Sequence, residues 1–294
     1  MNLRGAKPVV DYTIKEFIDS LDVTKDLYND NIQQEFTDNF YNWINTSELN
    51  NLQGLEDFPN KKLVAGTAQA FDHFYLKHKD RRFRFYKGEF MYHSACLKHG
   101  FDWAYIEDSR LHNNDAVIIS VPFSDAGTQL PMDNLLYNCY GMDIPVLLDF
   151  AYFPCTKNIN LDLSKFLAVE TVTFSISKAF YGCEFLRVGM RLQREDKDDG
   201  IDVFNSVEMV NRIPLSIANK LIKKYSVDHN WHTYASEYHE VCNELNLEYT
   251  DCIMFGLGGE EYKENNRGGA VNRVTVSDLI GQKLTNRRTN DSSK

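Results

Sequence analysis

Three apolar runs constrain this chain more than anything else in it. They are Asp115-Ala-Val-Ile-Ile-Ser-Val121, Ile144-Pro-Val-Leu-Leu-Asp149 and the stretch opening Val172-Thr-Phe-Ser-Ile-Ser177. Each is rich in β-branched residues, and the first two are close to continuous. A strand with one wet face alternates apolar and polar residues. A near-unbroken run is what a parallel strand covered on both faces requires. A helical pattern over 129–140 separates the first two runs, and strand–helix–strand order with buried strands predicts an α/β domain with a mostly parallel sheet. Ligands of such sheets bind beyond the carboxyl ends of the strands, and Thr67, Asp149, Tyr152 and Lys178 all fall at strand ends of this kind.

Totals exclude several functions. With 294 residues the chain has ample length for a sizeable core. A formal net charge of −10 argues against nucleic acid as a main partner. No stretch approaches the roughly 20 apolar residues of a membrane helix, and the N-terminus lacks the apolar core of a signal peptide. The cytoplasm is the expected compartment. The six cysteines have no paired spacing, which fits free thiols rather than disulfides or a zinc site.

Along the chain, Thr13-Ile-Lys-Glu16 predicts a capped amphipathic helix over 9–21. Leu63-Val-Ala-Gly66-Thr67 predicts a strand turning into a helix over 68–78, with Thr67 as its cap. Free N–H groups at such a start favour an anion, although helix capping alone explains Gly-Thr equally well. Arg82–Tyr86 and Asp102–Ile106 read as further strands, and Arg81-Arg82-x-Arg84 as a solvated strand end. Helices are expected over 202–225 and 228–246, then strands at Asp251–Gly256 and Val271–Asp278 joined by a glycine-rich loop. A frayed tail is expected over 285–294. His229, His232 and His239 read as a solvated helix face.

Chemistry concentrates at Ser175-x-Ser177-Lys178. A lysine where a buried strand ends is costly to desolvate, and burial lowers its pKa towards a nucleophilic free amine. Ser175, Ser177 and Arg187 around it suit a bound phosphate. Six largely apolar residues precede Asp149, which weighs against a helix cap or a solvated carboxylate there.

Ser175-x-Ser177-Lys178 followed by Arg187-x-Gly189 resembles the cofactor-lysine segment of the class I/II aminotransferases, the fold type I enzymes of pyridoxal 5′-phosphate (PLP). Further blocks of that family stand in order: Gly66-Thr67, Phe90, Pro122 with Gly127, Asp149-x-Ala151-Tyr152 and Arg273, together spanning Leu63 to Ser277. The resemblance implies a three-layer αβα large domain with a reduced α+β small domain. It divides the chain into an N-terminal segment (1–48, part of the small domain or a dimer contact), a PLP-binding domain (49–200) and a C-terminal small domain (201–294).

It also implies roles. Lys178 forms a Schiff base with the cofactor and moves a proton. Asp149 pairs with the pyridine nitrogen, and Tyr152 hydrogen-bonds the phenolic oxygen. Gly66, Thr67, Ser175, Ser177 and Arg187 hold the phosphate. Phe90, or failing it Tyr92, stacks on the ring, and Arg273 binds the substrate carboxylate. Plainer readings stand beside these: core aromatics, a core tyrosine, a structural ion pair at Arg187 and a surface arginine on an edge strand at Arg273. The expected activity is amino-group transfer between an amino acid and a keto acid in a homodimer. The alternatives are a decarboxylase, lyase or racemase on the same fold, or a catalytically idle PLP-binding homologue. Three departures stand out. Val121 occupies the position of an asparagine that in the family bonds the ring oxygen, the Lys178–Arg187 gap is one residue longer than is usual in the family, and the chain is short for the family.

Overall fold

The computed structural model describes residues 6–196 and 198–291. In chain order the strands are β1 (Asn51–Gln53), β2 (Asn60–Val64), β3 (Arg82–Phe85), β4 (Trp103–Tyr105), β5 (Asp115–Ser120), β6 (Val146–Phe150), β7 (Asn160–Asp162), β8 (Val169–Ser175), β9 (Gly189–Gln193), β10 (Glu248–Tyr249), β11 (Phe255–Gly258) and β12 (Asn272–Thr275). A seven-stranded sheet runs β2-β9-β8-β6-β5-β3-β4. Its centre is parallel, and β9 alone runs against its neighbours.

The near-continuous runs are buried on both faces, as their composition requires. Val117 and Ile119 of β5 and Val146 and Leu148 of β6 enter one core. Ala116, Ile118 and Leu147, the residues between them, enter another. The first core is closed by α2 (Ile32–Asn45), through Phe36, Phe40 and Ile44, and by α5 (Asp133–Gly141) and α8 (Arg212–Lys224). The second is closed by α3 (Thr67–Lys77), through Phe71, Phe74 and Tyr75, with Leu97 of α4 (Tyr92–Leu97). Helix, sheet and helix form the three layers. β8 departs from the apolar pattern. Val172 and Phe174 face the first core, while Thr171, Thr173 and Ser175 alternate with them and are buried too. The polar residues therefore lie on the α3 side of the sheet.

A second unit is built on the antiparallel sheet β10-β11-β12. α9 (His229–Glu244) covers it with Trp231, Tyr238 and Val241, and Ile280 of α10 (Ser277–Asp291) joins the same core. Val9, from the start of the chain, is buried there as well.

Several local expectations change. Asp11, not Thr13, caps the first helix, α1 (Tyr12–Asp19), by accepting from the Thr13 N–H at 2.7 Å. Gly66, not Thr67, holds the N-cap position of α3. The stretch 202–225 is broken into α7 (Gly200–Ser206) and α8. The helix α10 continues through the expected frayed tail as far as Asp291, and 292–294 lie outside the described residues. Arg84 is no solvated strand end. It is 0% exposed, donates to Asp115 at 2.8 Å and to the carbonyl of Ser109 at 2.6 Å, and Arg82 pairs with the same carboxylate. Parallel pairing of β3 with β5 sets Arg82 opposite Asp115, so the acid that neutralises both comes from a neighbouring strand.

Candidate active site

Ser120, Asp149 and Thr173 stand opposite one another on β5, β6 and β8. Asp149 is 5% exposed. Its carboxylate accepts from the Thr173 hydroxyl at 3.0 Å and the Ala151 N–H at 3.1 Å, and Thr67 at the start of α3 also favours its charged form. None of these donors is a cation. Burial pushes the Asp149 carboxyl up to about 7 against the pull of those hydrogen bonds, and the nearby Glu89 carboxylate adds to the rise.

One strand over, Ser175 pairs with Gly189, and Gly189 pairs with Val64. The ends of β8, β9 and β2 thus meet where α3 begins. Gly66 has φ +79, and a Cβ there would lie 2.7 Å from Arg187 Nη2. Only glycine lets the guanidinium approach this turn. Arg187 itself adopts the left-handed conformation (φ 54), donates to the Ala65 carbonyl at 3.3 Å and is exposed. A short helix, α6 (Cys183–Leu186), together with the positive φ of Gly182, takes up the long Lys178–Arg187 connection. The hydroxyls of Ser175 and Ser177 bond each other, and Ser175 also reaches the Val188 carbonyl at 3.1 Å. Two hydroxyls, a guanidinium and the N-terminus of an eleven-residue helix therefore converge, and such a set holds an oxyanion group.

Lys178 follows on the turn after β8. Cys155 donates its thiol to the Lys178 carbonyl at 2.9 Å, and Asn230 of α9 bridges the carbonyls of Ala179 (2.8 Å) and Pro154 (3.0 Å). This turn is consequently pinned to the segment after β6. The Lys178 amine donates to the Ala6 carbonyl at 2.6 Å. Burial lowers its pKa; Cys155 and Glu184 oppose the shift, while the positive charges of Arg187 and Arg273 add to it.

Tyr152 packs its ring edge-on to Phe255 at 5.2 Å between centroids. Burial raises the pKa of its phenol, and Arg273 draws it back. Arg273 is no surface arginine: it is buried, donates to the Ser124 carbonyl and lies over the Phe255 ring at 4.1 Å. Phe90 is 43% exposed, with its ring nearly parallel to that of Tyr92 at 5.9 Å, and the Tyr92 hydroxyl is held by Asp72 of α3. His229 packs against Tyr225 and Tyr234 rather than facing solvent alone. Among the described residues no group of three or more His, Cys, Asp or Glu is arranged to hold a metal ion, and no helix is long and apolar enough to cross a membrane.

Five participants were not foreseen from sequence: Glu89, Ser124, Asp125, Arg267 and Asn230. Glu89 is buried and accepts from the Ser120 N–H at 2.6 Å, from the Ser120 hydroxyl and from the Phe90 N–H at 3.1 Å. Arg267 reaches Ser124 and the Glu89 carbonyl.

No protein-family model and no curated protein matches the sequence. Solved structures do match the fold. The tyrosine aminotransferase from Leishmania infantum superposes with a TM-score of 0.65 at 14% identity, covering 97% of this chain and 91% of that one. The aromatic aminotransferase from Pyrococcus horikoshii gives 0.67 at 13% identity, covering 97% and 96%. A PLP-bound C-S lyase from Staphylococcus hominis gives 0.65 at 12% identity, covering 97% and 85%. The chain has the fold shared by these enzymes, that of the fold type I PLP-dependent aminotransferases.

Proposed function

We propose that this chain is a PLP-dependent enzyme acting on the amino group of an amino acid, and that its reaction is amino-group transfer to a keto acid. One observation carries the reading. A buried carboxylate with no cationic partner among the described residues, Asp149, and a desolvated amine, Lys178, stand at the ends of two neighbouring parallel strands, and an oxyanion cradle lies one strand further.

These residues fit the cofactor. Among the described residues no cation meets the buried Asp149 carboxylate, and a protonated pyridine nitrogen would supply that charge. The Gly66 turn, Ser175, Ser177 and Arg187 match a phosphate. Bound PLP supplies an electron sink for the bond broken at the substrate Cα.

The chain's own groups do the rest. Asp149 holds the ring proton in place, because an adjacent anion favours the cation. Tyr152 would offer its hydroxyl as a donor to the ring oxygen. Lys178 would hold the cofactor, and its amine, whose pKa burial lowers, would be suited to move a proton at the substrate carbon. Arg273 receives the substrate carboxylate through paired hydrogen bonds. Thr67 and Thr173 orient Asp149.

A homodimer belongs to the same proposal. Phe185 is 77% exposed, and Phe204 and Met209, also exposed, line a cleft of about 200 Å³ that Arg187 shares. Apolar side chains beside a cradle suit a covering subunit. A cytoplasmic location agrees with the free thiols.

The test is direct. Purified protein soaked with PLP is reduced with borohydride and mapped for an adduct on Lys178. A panel of amino donors and keto acids then follows, with release of ammonia and carbon dioxide measured beside transfer. An adduct with transfer supports the proposal. An adduct with release alone assigns a lyase or decarboxylase, and no adduct ends the reading.

A further inference from the structure

Asp149 has a hydroxyl beside it on each neighbouring strand. Thr173 of β8 and Ser120 of β5 are its register partners, and the alternation of the strands sets all three side chains on the α3 side of the sheet. Thr173 donates to Asp149 at 3.0 Å. Ser120 does not. A hydroxyl carries a single hydrogen, and Ser120 gives its own to the Glu89 carboxylate. The Ser120 N–H, at 2.6 Å, and the Phe90 N–H, at 3.1 Å, go to the same carboxylate. Glu89 is buried, and Arg267 holds its backbone carbonyl at 3.0 Å. The glutamate is thus anchored to β5 and to the backbone of Phe90, and among the described residues the groups that bond its carboxylate are neutral.

Ser120 is the register neighbour of Asp149 and the bonded neighbour of Glu89, and adjacent strands lie about 4.8 Å apart. Two buried carboxyl groups therefore stand within reach of each other's charge, and Glu89 makes Asp149 hold its proton more firmly. Two buried acids this close do not both ionise readily, so they titrate as a pair. The other titratable groups around them do not balance the pair by contact. Tyr75 of α3 and Tyr152 after β6 sense the Asp149 charge, and burial keeps both phenols protonated. His93 of α4, beside Phe90, is pushed down to about 3 by burial and stays neutral. The Arg267 guanidinium favours the charged form of Glu89, but it bonds the backbone carbonyl rather than the carboxylate.

We propose that Glu89 is a positioning residue for the ring nitrogen of the cofactor: it sets a second buried carboxylate beside Asp149 and keeps the Ser120 hydroxyl from bonding that acid. This rests on the reading of the site as one for PLP. A free Ser120 hydroxyl would compete with a ring N–H for the Asp149 oxygens. Captured by Glu89, it leaves them open. The second charge then favours a cation at the ring nitrogen, as any nearby anion does. The same carboxylate holds the Phe90 N–H, so one side chain ties the aromatic expected to stack on the ring to the acid expected to pair with it.

Carbon-13 NMR of the carboxyl groups in the native, cofactor-free protein is the first test. Glu89 and Asp149 should each show two inflections at shared pH values, because each senses the other's proton. Independent single inflections overturn the proposal, and no variant is needed to see them. Glu89→Gln should lower the pH at which the cofactor-free protein loses stability by roughly one unit, since removing an anion beside Asp149 loosens its proton. Glu89→Asp, which keeps the charge, should restore part of that shift. With nitrogen-15-labelled PLP bound, Glu89→Gln should lower the pH at which the ring nitrogen gives up its proton by a similar amount. A merely structural glutamate would lower the melting temperature alike at every pH and move neither midpoint, and that result overturns the proposal. The borohydride adduct on Lys178 keeps two failures apart. With the adduct intact, unmoved midpoints sink the role of Glu89 alone. Without the adduct, the enzyme reading falls and takes this role with it.

Discussion

The Thr173 hydroxyl donates to the Asp149 carboxylate at 3.0 Å across neighbouring parallel strands, and among the described residues no cation joins them. A buried acid held only by neutral donors prefers its proton. With the carboxyl at about 7 in the folded protein and 3.8 as its ordinary value, the folded state binds that proton more tightly than the unfolded chain. The stabilisation is complete below pH 4 and is lost as pH rises through 7; a shift of this size is worth up to about 4 kcal/mol. Cofactor-free protein should therefore melt at a lower temperature at pH 8 than at pH 5. Asp149→Asn should flatten that dependence while weakening PLP binding at least about tenfold. Thermal unfolding at the two pH values, with and without PLP, checks both halves.

Lys178 sets a second expectation. Its amine is desolvated and bonded to the Ala6 carbonyl. Lys178→Ala should remove the borohydride-stable adduct altogether. It should leave unfolding unchanged or raise its midpoint slightly, because a buried ammonium is costly to keep. Peptide mapping after reduction is the measurement. An adduct persisting on another lysine would show that Lys178 is not the attachment point.

Much of this architecture is legible before any coordinates, for a physical reason. Strands covered on both faces must be apolar throughout, so β5 and β6 announce themselves, and the residues that end them are then conspicuous. Asp149 and Lys178 stand out in that way. Arg267, Glu89 and Asp125 do not, because their meaning arises from folding: Arg267 meets the Glu89 carbonyl across 178 positions of sequence and Ser124 across 143. Arg84 reads as a solvated strand end for the same reason, since Asp115 reaches it only through strand pairing. The Gly-Thr pair suggests Thr67 as a cap, but Gly66 takes the cap position, and Thr67 acts instead on Asp149.

Gly66 gives a third expectation. Its φ of +79 and the Arg187 guanidinium 2.7 Å from a would-be Cβ leave alanine no room. Gly66→Ala should cost roughly 1–3 kcal/mol of stability through backbone strain. It should also push Arg187 off the cradle, lowering affinity for PLP more than for pyridoxal, which lacks the phosphate. Equilibrium binding of the two compounds separates a lost phosphate contact from general damage, which would weaken both alike.

Tyr152 offers the sharpest separation of packing from chemistry. Its ring lies edge-on to Phe255, and phenylalanine preserves that contact. Tyr152→Phe should thus change the unfolding free energy by less than about 1.5 kcal/mol, the usual net worth of one hydrogen bond. Burial and Arg273 act on the phenol in opposite directions, and the hydroxyl left between them is a donor suited to an oxygen of the ring. Removing it should shift the pH at which the absorbance of the PLP-loaded protein changes, and should slow amino-group transfer without preventing the Lys178 adduct. An unshifted absorbance titration together with undiminished transfer would return Tyr152 to the role of a core aromatic. A lost adduct would place it in cofactor attachment instead.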